Sequence, residues 1–173
     1  GTNCDRDVFQ AIEGVGLQAE WLWYENHFDS NDYQALFLPG GFSYGDYLRC
    51  GALAAKAPVM DSVREAAKRG TPILGICNGF QILCESGLLP GALLKNKGLR
   101  FIENWVELEG KTEKGFWKSV TGKGWSGKLP IAHGEGQFNL PYTPEKYNIV
   151  LKYSRGTYPA NPNGSDYDVA GLC

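Results

Sequence analysis

TPILGICNGFQILCE, residues 71–85, decides the fold. An apolar run, Pro72 to Leu74, stops at a glycine, and Gly75-Ile76-Cys77-Asn78-Gly79 then sets a cysteine between two glycines. Beyond it Phe80, Leu83 and Cys84 fall on one helical face that closes at Gly87. The stretch therefore predicts a strand over 71–76, a tight turn and a helix over 78–85. G-x-C-x-G is the cysteine counterpart of the G-x-S-x-G nucleophile elbow, which needs this strand-to-helix context. Glycines are expected on both sides because the turn brings backbone and helix too close for side chains. At the helix N-terminus the Cys77 thiol would meet unpaired N–H groups and the positive dipole end, which favour the reactive thiolate. The plainer reading, a small buried thiol whose glycines merely let strand and helix pack, stays open on this stretch alone.

Tyr33 to Leu38 is a second apolar run, ending at Pro39-Gly40-Gly41. Between the two strands, residues 58–69 begin with proline, carry Val59, Val63, Ala66 and Ala67 on one face and end in Lys68, Arg69 and Gly70, a well-marked helix. The order strand, helix, strand, helix implies parallel strands packed between helices. The PGG turn would then share the carboxyl edge of the sheet with Cys77, where open α/β folds place ligands. Its N–H groups, with that of Asn78, are candidates for an oxyanion hole. A phosphate cradle is the competing use of such a loop, but no G-K-[ST] follows it.

Elsewhere, residues 5–16 read as a helix and Ala19 to Trp23 as a short strand. Ile102, Val106 and Leu108 alternate with Glu103, Glu107 and Glu109, as in a strand with one wet face. Residues 110–128 read as a loop or hairpin excursion, 129–132 and 149–153 as strands, and 158–165 as a loop. Gly1-Thr2-Asn3 resembles a turn that follows a strand, and Asp168 to Leu172 the first half of another, so the chain reads as a fragment cut at both ends. The expected architecture is a single α/β domain over 1–173, an open, mostly parallel doubly wound sheet flanked by helices.

The 173 residues, 43% apolar, suffice for one sizeable core. A formal net charge of −2, from 17 basic and 19 acidic residues with no basic run, argues against a nucleic-acid groove or a membrane surface. Partners are then small molecules or another protein. No stretch is long and apolar enough to span a bilayer and no signal-peptide pattern opens the chain, so a cytoplasmic location is expected. Five cysteines at scattered spacings and two histidines support neither a disulfide framework nor a zinc site. Cys84 is expected in the core, and Cys50 has no base nearby in sequence; Cys4 and Cys173 have no assigned role. A nucleophilic thiolate needs a proton-transfer partner, and by type only His27 and His133 qualify. His27, in a polar loop, reads as solvated. His133, in PIAHGEGQF, could meet Glu135 on one face of an extended segment or could equally be a substrate contact.

Five stretches carry a resemblance: GTNCDRD (1–7), LPGGFSYGDYLRCGA (38–52), GICNGFQIL (75–83), PIAHGEGQF (130–138) and NPNGS (161–165). In this order they resemble the class I glutamine amidotransferases, of flavodoxin-like fold. Within these they resemble the glutaminase subunits that serve formylglycinamidine ribonucleotide synthesis in purine biosynthesis. The resemblance implies that Cys77 attacks the side-chain amide of glutamine, releasing ammonia to a synthetase subunit, with or without a small third subunit. It implies no cofactor in this chain, ATP and Mg being used by the synthetase. By position it implies Gly41 and Asn78 as oxyanion donors, Gln81 as a glutamine-binding residue, and His133, Gly134 and Glu135 as lining the glutamine pocket without supplying the catalytic histidine. Asp46 and Arg49 lie in a subunit-specific loop, with pocket, partner-facing or surface roles open. The family's P-H-P-E motif, its catalytic histidine and glutamate, does not occur in these residues, and the strand expected before Gly1 is absent too. The polypeptide as written is therefore expected to be poorly active. Rival readings are a cysteine-elbow hydrolase of the intracellular-protease or stress-response type, and a non-catalytic glutaminase-like binding subunit.

Overall fold

The computed structural model describes residues 2–44, 48–154 and 161–173; Asp46 lies outside the described residues. The chain divides into two compact units, Gly1–Leu88 and Leu89–Cys173, each with its own strands.

In the first unit helix α1 (Asp5–Gly14) opens with Asp5 and Asp7, whose charges complement the positive end of the helix dipole. Strand β1 (Leu36–Leu38) leads through helix α2 (Val59–Lys68) to strand β2 (Ile73–Gly75), and the two strands pair in parallel, Leu36 opposite Ile73 and Leu38 opposite Gly75. A parallel pair needs such a crossover. Helix α2 turns Met60, Val63 and Ala66 inward at helical spacing, while Val59 and Ala67 are half-buried. Helix α3 (Asn78–Glu85) follows β2 and buries six of its eight residues.

Ala19 to Trp23 is not a strand. A strand exists through its hydrogen-bond ladder, and among the described residues this segment pairs with none. Its aromatic residues, which suggest a strand, are used otherwise. Trp21 stacks on Phe9 of α1 with ring centroids 4.5 Å apart. The segment, together with α1, β1 and α2, lines an apolar cleft of about 540 Å³.

The second unit holds strands β3 (Ala92–Leu94), β4 (Ile102–Gly110), β5 (Ser126–His133), β6 (Gln137–Asn139), β7 (Ile149–Tyr153) and β8 (Val169–Leu172), with a short helix α4 (Trp117–Thr121). β3 pairs antiparallel with β6, and the other four form an antiparallel sheet in the order β5-β4-β7-β8. Val106 and Leu108 of β4 and Tyr153 of β7 form its core, with Trp125, Ile131, Leu151 and Ala170 packed against them. The alternation in β4 is as the sequence suggests: Glu107 faces outward and reaches Lys128 of β5, directly opposite it, at 3.2 Å.

The fold is thus mixed α/β, but the expected mostly parallel, doubly wound sheet is not what the described residues form. Among the named strands β1 and β2 are the one parallel pair. The reason is the connections: among the described residues after α3 the one α-helix is five residues long, too short to carry the chain back for a parallel return. The following strands therefore pair antiparallel. The 110–128 excursion contains that helix and the start of β5.

The two faces of β4 should respond differently to truncation. Leu108→Ala, at a 4% exposed position, is expected to cost about 2–5 kcal/mol in urea unfolding. Trp105→Ala, at a 63% exposed position, should cost less than about 1 kcal/mol.

Candidate active site

Strand β2 delivers the chain to Cys77, whose φ of 52° and ψ of −109° lie where a non-glycine residue is rarely found. Such a conformation costs on the order of 1–3 kcal/mol and persists only where its surroundings over-determine it. They do so here. The Ile76 N–H donates to the Leu38 carbonyl at 3.0 Å, the Gly79 N–H to the Ile76 carbonyl at 2.8 Å, and the Gln81 N–H to the Cys77 carbonyl at 3.2 Å. A Cβ on Gly79 would collide with the Leu38 carbonyl, and one on Gly75 with Gly79 and Leu83. Both glycines are therefore demanded by packing. The product is an exposed thiol at the start of α3, so the packing role of the glycines and the presentation of Cys77 are one arrangement.

The PGG turn backs onto this elbow. A Cβ on Gly40 would stand 3.2 Å from the Cys77 Cβ, and Gly41 has a φ of +102°, open chiefly to glycine. Asn78 is fully buried and, as the first residue of α3, has an N–H with no intrahelical acceptor. Its side-chain amide donates to Gln81 Oε1 at 2.9 Å, and Gln81 is buried as well. The chain beyond PGG returns onto the same helix: Arg49 forms a two-pronged pair with Glu85 at 2.9 and 2.8 Å, and Gly51 packs on the backbone of Gln81 and Ile82. Cys50 is buried in this return. Cys84 is core: burial pushes its thiol up to about 12. Burial, and then Asp7, the neighbouring Cys77 and Asp5, also raise the Cys4 thiol. His27 is exposed in its loop.

Cys77, Gly41, Asn78 and Gln81 thus lie in the first unit, and His133, Gly134 and Glu135 in the second, where β5 ends. Asn96, which sequence reasoning missed, grips this loop. Its buried amide nitrogen donates to the carbonyls of Arg100 (2.8 Å) and His133 (2.9 Å), and its Oδ1 accepts the Gly136 N–H at 2.9 Å. Its own N–H donates to the Gly134 carbonyl. Two carbonyls on one side and an N–H on the other fix the amide orientation. His133 Nδ1, 3.1 Å from the same Oδ1, must then carry the proton. Nε2, the lone-pair nitrogen of the neutral ring, is enclosed without a partner among the described residues. Burial lowers the imidazole pKa. On the far side, Asn163 and Ser165 donate to the Gly136 carbonyl at 2.7 and 3.2 Å. A Cβ at Gly136 would stand inside the His133 ring. The sequence signal for Asn96 is slight, a lone asparagine between two lysines. Among the described residues no group of His, Cys, Asp and Glu could hold a metal ion.

A profile of the CobB/CobQ-like glutamine amidotransferase domain matches residues 1–173, spanning both units. The chain is 49% identical over 173 residues to the phosphoribosylformylglycinamidine synthase subunit PurQ of Prochlorococcus marinus (strain MIT 9312), covering 99% of this chain and 78% of the relative. It is 47% identical over 176 residues to that of Pyrococcus furiosus, with the same coverage. Among solved structures, PurLQS from Thermotoga maritima matches with a TM-score of 0.86 and 42% identity, over 99% of this chain and 76% of that chain. A glutamine amidotransferase from the same organism, 19% identical over 99% of this chain and 65% of that one, shares the fold with a TM-score of 0.57.

Gly79→Ala should cost at least about 1–3 kcal/mol in urea unfolding because neither Leu38 nor α3 can yield, while Gly98→Ala, with open space around it, should be near neutral. His133 offers a pH test. A histidine whose folded pKa is depressed binds fewer protons folded than unfolded, so its contribution is complete above the unfolded value of about 6.5 and is lost as pH falls below it. Unfolding free energy should fall from pH 7 to pH 5 more steeply in the parent protein than in His133→Gln; equal slopes would contradict the burial of a neutral ring.

Proposed function

The chain belongs to the glutamine amidotransferases and, within them, to the PurQ subunits of phosphoribosylformylglycinamidine synthase, and on that premise we propose how its residues hydrolyse glutamine to glutamate and ammonia. The observation that carries the reading is Cys77 itself, exposed and strained at the head of α3, with Gly40 against its Cβ.

The Cys77 thiolate attacks the side-chain amide carbon of glutamine, forming an S–C bond and placing negative charge on the amide oxygen. The N–H groups of Gly41 and Asn78 are the proposed donors to that oxyanion; one such donor is typically worth about 2.7–4 kcal/mol in the transition state. Collapse breaks the C–N bond, and the nitrogen leaves as ammonia after taking up the proton that the Cys77 thiol gave up on forming the thiolate. Water then cleaves the thioester, releasing glutamate and restoring the thiol. His133 is not assigned as the base: its Nδ1–H is committed to Asn96, and Nε2 is enclosed. Gln81, held against Asn78, and the loop His133, Gly134 and Glu135 are assigned to glutamine recognition by family position. Ammonia passes to a synthetase subunit, which supplies the ATP and Mg chemistry while this chain carries no cofactor. The likeness to PurLQS supports such a partner. No helix among the described residues is long and apolar enough to cross a membrane, and the setting proposed is the cytoplasm.

A glutamine-analogue diazoketone should modify Cys77 and no buried cysteine, as located by peptide mass spectrometry, and excess glutamine should suppress the modification. Labelling of Cys77 that glutamine fails to slow would reject the glutaminase reading in favour of a general reactive thiol.

A further inference from the structure

Asn3 and Cys4 have no task in the mechanism above, yet they lie against the PGG turn. The Cys4 N–H donates to the Gly40 carbonyl at 3.1 Å. The Asn3 side-chain oxygen accepts the Phe42 N–H at 2.8 Å. The two bonds grip the turn on both sides of Gly41. Asn3 also occupies the space a Cβ on Gly41 would need, its Oδ1 and Cγ being the nearest atoms there. The requirement for glycine at 41 thus has two sources, its φ of +102° and the Asn3 side chain. Gly40, the other member of the turn, sits against the Cys77 Cβ, so any rotation of this turn changes the backbone beside the nucleophile.

We propose that Asn3 is a positioning residue, one that fixes the orientation of the Gly40–Phe42 turn so that its backbone donor is set toward the oxyanion formed at Cys77. This deepens the glutaminase reading and rests on it. Oxyanion holes work because their dipoles are already oriented when charge develops. A turn rich in glycine has little stiffness of its own, and its orientation must be imposed from outside. The Asn3 amide oxygen supplies that restraint by accepting the Phe42 N–H. Asn3 is consequently expected to matter for steps that build charge on a carbonyl oxygen and to be silent in steps that do not.

Two reactions of Cys77 separate these cases. Acyl transfer from glutamine places charge on the amide oxygen, whereas alkylation by iodoacetamide displaces iodide at a saturated carbon and uses no oxyanion donor. In the full chain with its synthetase partner, Asn3→Ala should lower the acyl-transfer rate, read as ammonia release at saturating glutamine, by tenfold or more. KM for glutamine and the alkylation rate of Cys77 should stay within about twofold. Asn3→Asp, which keeps an oxygen for the Phe42 N–H, should restore most of the rate. Hydrogen exchange at the Phe42 amide reads the same contact without catalysis: protection should be present in the parent, lost in Asn3→Ala and retained in Asn3→Asp. An unprotected Phe42 amide in the parent, or equal losses in acyl transfer and alkylation, would overturn the assignment of Asn3. Diazoketone labelling of Cys77 that glutamine fails to slow in the unsubstituted protein would count instead against the glutaminase reading, and the exchange pattern would still decide whether Asn3 holds the turn.

Discussion

One carbonyl oxygen sets the geometry of the first unit. Leu38 O receives the Ile76 N–H, the hydrogen bond that carries the β1–β2 pairing past the end of the ladder, and the Cα of Gly79 rests where any Cβ would strike that same oxygen. Strand β1 and the first turn of α3 are therefore as close as backbone allows. With so little room between β2 and α3, the chain must reverse through Cys77 in a conformation most side chains avoid. The helix that follows offsets this strain by burying Ile82 and Leu83 beside Cys84, each large apolar side chain contributing roughly 1.5–3 kcal/mol. Reactivity at the elbow is thus supported by ordinary core packing farther along the helix.

The second unit reaches a fixed loop by different means. His133 to Gly136 contains two glycines, which offer no side-chain surface for apolar packing. The loop is gripped instead through its backbone groups and the His133 ring, and hydrogen bonds are the interaction that grips them directionally. Asn96 and Asn163, 0% and 1% exposed, each present an amide that bonds carbonyls of this loop. Asn163 is itself tied to the Tyr153 hydroxyl at 2.9 Å, which joins the clamp to the core of the antiparallel sheet. Buried amides are unfavourable when a partner is missing, by about 1–3 kcal/mol for each group left unpaired. The loop and its asparagines are therefore mutually dependent, and the tautomer of His133 is a consequence of that dependence.

Legibility in the sequence follows element length and periodicity. Helices α2 and α3 and strands β4 and β7 have enough residues, and clear enough inside and outside faces, for the pattern to declare itself. Strands β3 and β6 are three residues each, too short to display a period. Ala19 to Trp23 has strand composition but no ladder, because composition records what a segment can bury and not what it pairs with. The parallel order expected from the sequence holds for β1 and β2, where a helix intervenes, and fails beyond α3, where none of sufficient length does. At the site, Cys77 is legible because close packing demands glycine on both sides of it, and that demand is written as a local spacing. Asn3, Asn96 and Asn163 are not legible in this way, since a side chain that acts by hydrogen-bonding distant backbone leaves no local spacing behind.

Cys77 and Cys84 show how far environment alone divides one functional group. Both belong to the same strand-turn-helix, at opposite ends of α3. Cys84 faces the core, where desolvation disfavours the thiolate so strongly that the thiol pKa is pushed up to about 12 and the group acts as a small apolar side chain. Cys77 stands before the first helical turn, solvent-exposed, with the unpaired N–H end of the helix beneath it and the glycine turn beside it. Exchanging the two surroundings would exchange the two roles without altering a single bond within either side chain. The nucleophile is therefore a property of a backbone path, and that path is set by the Leu38 carbonyl, two glycines and the buried face of α3.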